Sequence, residues 1–190
     1  EKLPFLRDYM QRVSVDHSYG GKFNESFNME DGLESITKED KSSNFRPLIG
    51  ITMSMKNGIS MNVKYNKGEK VARTMGFGVG GTKTTQNDIN FTASYSKRSD
   101  FRIPLPGLGK FRLKNNVDVS LTFSMGDNVT SKAKGEDGEY TVTAETSKWS
   151  VKPNVTYSFS NRVRGGAFFE MGQTHNKLIG DSSYRELGIN

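Results

Sequence analysis

The most regular pattern in this chain lies in residues 117–125, which read Val117-Asp118-Val119-Ser120-Leu121-Thr122-Phe123-Ser124-Met125. Every odd-numbered residue of this stretch is apolar, and every even-numbered residue is polar. Because successive side chains of a β-strand point to opposite faces of its sheet, the alternation predicts a strand with one apolar face and one hydrophilic face.

The same two-residue period recurs along the whole chain, and no stretch shows a helical period. The other alternating stretches are 13–19, which resumes through Phe23, Phe27 and Met29, and 49–55, 59–65, 75–79, 89–95, 140–144, 149–151, 155–159, 163–171 and 187–189. The sequence therefore predicts an all-β, antiparallel architecture of about nine or ten strands, in which residues 1–190 form a single segment.

The turns follow from the rule that facing residues lie on the same side of a sheet. A three-residue loop at 56–58 places Met53 opposite Met61. An odd-length loop at 160–162 places Tyr157 opposite Gly165. The same rule predicts an even-length turn at Thr146-Ser147. Longer, charged connections are predicted at 30–44, 98–112, 126–138 and 174–183.

Composition restricts the function classes. The chain has 27 Lys and Arg against 21 Asp and Glu, a formal net charge of +6, and no cysteine. The absence of cysteine excludes a disulfide scaffold, a thiol nucleophile and a cysteine-ligated metal. No run of about eighteen apolar residues is present, which excludes a transmembrane helix. The start at Glu1 and the stop inside an alternating stretch lead us to expect a piece of a longer protein.

No catalytic, cofactor or metal site is predicted. The run 76–81 matches the glycine spacing of a dinucleotide motif, but the turn-like residues 82–88 follow where that motif needs a helix. The two histidines, His17 and His175, lie far apart in unlike contexts, and no carboxylates are paired. Lys and Arg are interleaved with acids at turns and strand ends, which indicates lipid phosphates or solvent rather than nucleic acid.

Strand length favours a membrane β-barrel over a soluble sandwich. Several stretches reach about nine to thirteen residues, as a tilted membrane strand needs and as few soluble strands do. Aromatic residues gather near strand ends, as interfacial girdles require: Tyr19, Tyr65, Tyr95, Tyr140 and Trp149. The apolar face is predicted to contact lipid through Ile51, Met53, Met61, Val63, Phe77, Phe91, Val119, Leu121, Phe123 and Tyr157.

The opposite face consists mainly of Ser, Thr, Asn and Gly. Such short groups would fill the interior of a closed barrel of about eight strands poorly. The segment is therefore predicted to be part of the wall of a larger transmembrane β-barrel with a water-filled lumen. The predicted lumen-facing residues are Ser54, Asn62, Asn90, Thr92, Ser120, Thr122, Thr143 and Thr156.

Four stretches of the chain carry a resemblance to a known family. They are Phe5-Leu6-Arg7 to His17-Ser18-Tyr19, Phe45-Arg46-Pro47-Leu48-Ile49-Gly50-Ile51, Met55-Lys56-Asn57 leading into Ile59 to Tyr65, and Leu113-Lys114-Asn115-Asn116-Val117-Asp118-Val119 to Ser124. The chain resembles the C-terminal barrel region of the SprA/Sov proteins. These are the giant outer-membrane translocons of type IX secretion and gliding motility in Bacteroidetes-like bacteria.

The resemblance implies a single-chain barrel of exceptional size in the outer membrane of a Gram-negative bacterium, with this segment in its wall. Folded proteins marked by a C-terminal signal domain would pass through it to the cell surface. The implied partners are the rest of the barrel chain, outer-membrane lipids, a PorV-like partner barrel, a plug protein and the secreted cargo. The family has no catalytic residues, so the resemblance implies no enzyme activity and no cofactor.

Two other readings of the sequence remain open. The first is a complete small outer-membrane barrel with a structural or adhesive role, which requires the first and last strands to pair. The second is a soluble β-sandwich that binds a partner or a glycan, which requires a second layer of protein over the apolar face.

Overall fold

The computed structural model describes residues 9–75, 79–97, 101–105, 109–113, 115–135, 138–160 and 162–189. These residues form antiparallel strands and turns, so the all-β prediction is confirmed. The strands are β1 (Met10–Asp16), β2 (Tyr19–Glu30), β3 (Leu33–Met55), β4 (Ile59–Thr74), β5 (Gly80–Lys97), β6 (Phe101–Leu105), β7 (Gly109–Leu113), β8 (Val117–Lys134), β9 (Thr141–Ser158), β10 (Arg164–Asn176) and β11 (Gly180–Ile189).

Nine strands form one sheet in the order β1-β3-β4-β5-β8-β9-β10-β11, with β2 also paired to β3, while β6 and β7 form a separate hairpin. β1 and β2 behave as one long strand beside β3. Between them, the Ser18 N–H donates to the Pro47 carbonyl (2.9 Å), and the Ser18 carbonyl accepts from the Arg46 N–H (3.0 Å). The main sheet is therefore a meander eight strands wide.

Several strands are longer than the alternating stretches that predicted them. β3 has 23 residues, and β5, β8 and β9 have 18 each. The charged connections predicted at 30–44, 126–138 and 174–183 are therefore wrong over most of their length. The turn predicted at Thr146-Ser147 is also wrong, because both residues lie within β9, opposite Asn128 and Asp127. A strand end that is wet on both faces needs no alternation, and so it resembles a loop in sequence.

Two tight connections agree with the prediction. The loop at 56–58 places Met53 opposite Met61. Its Gly58 has φ +88°, a backbone conformation that favours glycine, and the Gly58 N–H donates to the Met55 carbonyl (3.1 Å). The connection from β9 to β10 places Tyr157 opposite Gly165, as an odd-length loop requires, although residue 161 lies outside the described residues.

The two ends of the main sheet differ. At one end, which we call the short-loop end, β3–β4 and β9–β10 are joined by loops of three and five residues. The β6–β7 hairpin belongs to the connection from β5 to β8 at the same end. At the other end, the extended end, the β2–β3, β4–β5 and β8–β9 pairs continue for many residues before they turn.

Within the described residues, no second layer packs on the main sheet. Only Pro47, Val117 and Ala133 are buried apolar side chains there. The accessible surface is 14215 Å², whereas a compact soluble protein of this mass would expose about 9,100 Å². The sheet is open, since β1 and β11 lie at its opposite edges and do not pair. Neither a closed eight-stranded barrel nor a two-layer sandwich is formed by this part of the chain.

Candidate functional site: an apolar band and a polar wall

The cross-strand register assigns the side chains of the main sheet to two faces. We call the residues that lie opposite one another across neighbouring strands a register row. One face, the apolar face, carries apolar side chains along such rows; one row consists of Val15, Ile51, Val63, Phe91, Phe123, Val151 and Met171. The predicted lipid-facing residues within the described ranges all lie on this face: Ile51, Met53, Met61, Val63, Phe91, Val119, Leu121, Phe123 and Tyr157. Phe77 lies outside the described residues.

The apolar face is not covered by any other described part of the chain. Val119 and Leu121 are each 40% exposed, and Met125 is 54% exposed. A contiguous apolar surface of this extent is rare on soluble monomers and marks contact with lipid or with another protein.

The apolar residues form a band of limited depth. On β8 the band runs from Val117 to Met125, and Asp127 is the next residue on that face. On β9 it runs from Tyr157 to Trp149, and Ser147 follows. The nine residues on each of these two strands match the roughly nine to eleven that a tilted strand needs to cross a bilayer.

Aromatic side chains lie at both borders of the band. Tyr19, Phe45, Tyr65 and Trp149 lie toward the extended end, and Tyr95 and Tyr157 lie toward the short-loop end. The rings of Tyr19 and Phe45 pack with centroids 4.8 Å apart. The Tyr65 hydroxyl donates to Asn87 Oδ1 (3.5 Å) in the first polar row, so this ring has an apolar body and a polar tip in a matching environment.

The border at the extended end runs obliquely across the strands. In the row of Asp127, the face is apolar only on β2 and β3, at Tyr19 and Phe45. In the row of Tyr65, it is apolar from β3 to β9 and polar on β10 and β11. In the row of Phe91, only β11 is polar, at Arg185. The border therefore recedes by three rows from β2 to β11.

This obliqueness has the magnitude expected of tilted strands. Three rows are six residues, or about 20 Å along a strand, and seven strand spacings cover about 34 Å. The border therefore makes an angle of about 30° with the register rows, close to the roughly 35–45° by which strands tilt in outer-membrane barrels.

The second face, the polar face, carries small hydrogen-bonding groups. Seven of the predicted lumen-facing residues share it: Ser54, Asn62, Asn90, Thr92, Ser120, Thr122 and Thr156. The Asn62 amide donates to Thr52 Oγ1 (2.7 Å), and the Ser124 hydroxyl donates to Asn90 Oδ1 (3.0 Å). Neighbouring strands are thus linked by side-chain hydrogen bonds along this face.

Thr143 departs from this set. It lies where the register of β8 and β9 shifts between Thr130 and Ser131, well beyond the apolar band. Its hydroxyl donates to the Thr130 carbonyl (3.1 Å). Simple alternation does not hold across such a bulge, and the sequence around Thr143 carries no signal for it.

A charged cluster on the polar face was missed by the sequence analysis. Lys152 Nζ lies 3.0 Å from Glu170 Oε2, and the Tyr184 hydroxyl donates to Glu170 Oε1 (2.9 Å). The Lys152 ammonium also lies 4.2 Å from the centroid of the Phe168 ring. Lys152 and Glu170 lie on β9 and β10 at the depth of the apolar band, whereas Tyr184 lies on β11 just outside it. The cluster is therefore visible only once the three strands are aligned.

Buried glycines let larger side chains lie against the polar face. Gly126 and Gly172 lie opposite Asp88 and Tyr184 on the neighbouring strands. A methyl group at either glycine would collide with the side chain that covers it. The covering side chains therefore lie along the sheet, which keeps its polar face smooth.

The two histidines lie in separate surroundings. His17 Nδ1 contacts the Leu48 carbonyl (2.6 Å), and His175 pairs with Asp181 across β10 and β11. Within the described residues, no cluster of three or more potential metal ligands is present. Gly80 and Gly81 begin strand β5 rather than a helix, while residues 76–78 of the glycine run lie outside the described ranges. No helix in the described part of the chain could span a membrane.

No model of a known protein family matches this chain, and no curated protein matches it either.

Proposed function

We propose that this chain is part of the wall of a wide outer-membrane β-barrel that exports folded proteins, as in the SprA/Sov translocons that its sequence resembles. The observation that carries the proposal is the uncovered apolar band. It is nine residues deep on β8 and β9, bordered by aromatic side chains, and inclined to the register as tilted strands require.

A lipid bilayer provides the cover that the apolar face lacks. Exposed Val, Leu and Phe side chains cost free energy in water, and no described part of the chain shields them. The oblique border supports lipid over a second protein layer. A flat bilayer crossed by tilted strands explains why Gln173 and Arg185 occupy rows that are apolar on earlier strands.

The open edges support a wall larger than this segment. An unpaired backbone group in hydrocarbon costs several kcal/mol, so the outer edges of β1 and β11 need neighbouring strands in a membrane. The first and last strands do not supply this pairing to each other, which argues against the complete small barrel. The short side chains of the polar face then border a wide aqueous lumen.

The difference between the two ends of the sheet supports an orientation. Outer-membrane barrels have short turns in the periplasm and long extensions outside the cell. The end at which the strands continue far past the apolar band would thus face the exterior, and the opposite end, whose long excursion is the β6–β7 hairpin, would face the periplasm. A cargo with a C-terminal signal domain, a plug protein and a PorV-like partner barrel are proposed on the resemblance alone.

A matched pair of arginine substitutions tests the proposal. Phe91→Arg places a charge on the lipid-facing band, one row inside its border on β5, and should destabilise the inserted chain by about 1–3 kcal/mol, between the costs at the interface and at the bilayer midplane. Thr92→Arg places the same charge on the polar face and should be tolerated in a wide lumen. Urea unfolding of the chain in lipid vesicles measures both. Equal losses of stability would overturn the assignment of the two faces.

A further inference from the structure

We propose that the free edge of β2 at the extended end binds an extended protein segment that carries a basic residue between apolar ones. The bound segment would add to the sheet as a further strand. The placement of this edge outside the bilayer rests on the proposed function, whereas its pairing capacity, charge and apolar stripe do not.

The backbone of β2 has no strand partner along its outer edge among the described residues. β2 has twelve residues and pairs only with β3, so one row of its N–H and C=O groups has no strand partner among the described residues. The sequence 19–30 contains no proline. The bulge in this hairpin lies at Thr37 in β3, so the edge of β2 continues without interruption. An edge of this kind is a template for strand addition.

An apolar stripe on β2 continues beyond the apolar band. On the apolar face, Phe23, Phe27 and Met29 are 56%, 58% and 65% exposed. The neighbouring strand carries Lys41 opposite Phe23 and Glu34 opposite Met29, so these rows lie outside the band. Alternate apolar side chains beside a free backbone edge offer pockets for the alternate side chains of an added strand.

The β2–β3 hairpin is acidic. The paired hairpin, residues 19–45, contains six carboxylates and three lysines, a formal net charge of −3, in a chain whose total is +6. Lys38 lies 2.6 Å from Asp40, and its hydrogen bond lowers the pKa of Asp40, so this carboxylate stays ionised at neutral pH. The hairpin therefore repels acidic partners and attracts basic ones.

A pair of facing glutamates marks the position that a basic residue of the partner would occupy. Glu25 and Glu39 lie directly opposite each other on the apolar face. Glu39 lies opposite Arg73 of β4 on its other side, whereas the other side of Glu25 is the free edge. In the described part of the chain, neither has an ion pair within 4.0 Å. Like charges in such a pair destabilise a sheet. A lysine or arginine on a strand added beside Glu25 would relieve this repulsion, while flanking apolar residues would contact Phe23 and Phe27.

A synthetic peptide tests the proposal. The probe is fluorescein-labelled Thr-Val-Thr-Lys-Thr-Val-Thr-Val-Thr, titrated against the full chain in detergent micelles, with empty micelles as the blank. We expect saturable binding that weakens at least tenfold when the peptide lysine is replaced by glutamate. Methylation of alternate backbone nitrogens should weaken binding by at least as much, because it removes the edge hydrogen bonds.

Protein variants locate the peptide. Glu25→Lys should weaken binding at least tenfold, while Glu145→Lys, the same charge change at an exposed site on β9, should leave it within twofold. Amide hydrogen exchange should slow in residues 19–30 and not in 180–189, the other free edge. No binding, unchanged binding to Glu25→Lys, or equal protection of both edges would each overturn the inference.

Failure here and failure of the proposed function are distinguishable. Peptide binding in micelles does not depend on a bilayer, and the arginine pair on β5 lies far from β2 in the strand order. Peptide binding with equal damage from Phe91→Arg and Thr92→Arg would leave the edge site standing and remove the membrane wall. Loss of stability from Phe91→Arg alone, without peptide binding, would leave the membrane wall standing and remove the edge site.

Discussion

At the scale of single residues, the polar face depends on glycines that accept large neighbours. Gly172 is buried opposite Tyr184, whose hydroxyl reaches Glu170. A Cβ at Gly172 would lie 2.8 Å from a ring carbon of Tyr184 and 2.5 Å from the Trp149 carbonyl oxygen. One of these neighbours is backbone, so it has little freedom to move away.

We therefore expect Gly172→Ala to destabilise the folded chain by about 1–3 kcal/mol through overpacking. Gly20→Ala is the matched control, because a Cβ there has no neighbour within 4 Å. It should be neutral or slightly stabilising, since alanine loses less backbone freedom on folding. Urea unfolding in lipid vesicles measures both variants, and a larger loss for Gly20→Ala would contradict this explanation.

At the scale of strands, the charged cluster reports whether the polar face is wet. Lys152 and Glu170 lie at the depth of the apolar band, where a pair sealed from water behaves differently from a hydrated one. A hydrated pair contributes about 0–1 kcal/mol, and salt screens it. A sealed pair loses about 3–5 kcal/mol when one partner is removed.

We expect Glu170→Gln to lower the free energy of unfolding only slightly, and less at high salt, because the proposed lumen is water-filled. A double-mutant cycle with Lys152→Met should give a coupling energy that falls as the salt concentration rises. The measurement is unfolding at low and high ionic strength. A salt-independent loss of several kcal/mol would mean that the cluster is closed off from water.

The strands also show what the sequence reveals. Alternation identifies both faces and the loop at 56–58, since only one register keeps Met53 and Met61 on the same side. It does not reveal the strand ends beyond the band, where a residue such as Thr146 is polar on a wet strand exactly as it would be in a loop. It also does not reveal the Lys152–Glu170–Tyr184 cluster, because the cluster depends on the alignment of three strands.

At the scale of the whole molecule, the oblique border makes residues of one register row lie at different depths. Ile51, Phe91 and Arg185 share a row. Relative to the border at the extended end, Ile51 lies two rows inside the band on β3, Phe91 lies one row inside on β5, and Arg185 lies one row outside on β11. The sequence alone contains no sign of this border, because the rows exist only after the strands are aligned.

Single tryptophans should report these depths. The chain has one tryptophan, Trp149, so Trp149→Phe provides a dark background. A tryptophan at position 51 should lie about 11 Å inside the apolar region, and one at position 91 about 5 Å inside, given about 3.3 Å per residue and the strand tilt. One at position 185 should lie outside it. Quenching by lipids labelled at known depths measures the order, and equal quenching at all three positions would contradict a tilted wall.

The meander is eight strands wide, and eight is an even number. Its first and last strands therefore run in opposite directions, so the ribbon begins and finishes at the same end of the sheet. An antiparallel ring can close only if every added neighbour keeps this parity. Whatever completes a ring around this segment must therefore contribute an even count of strands.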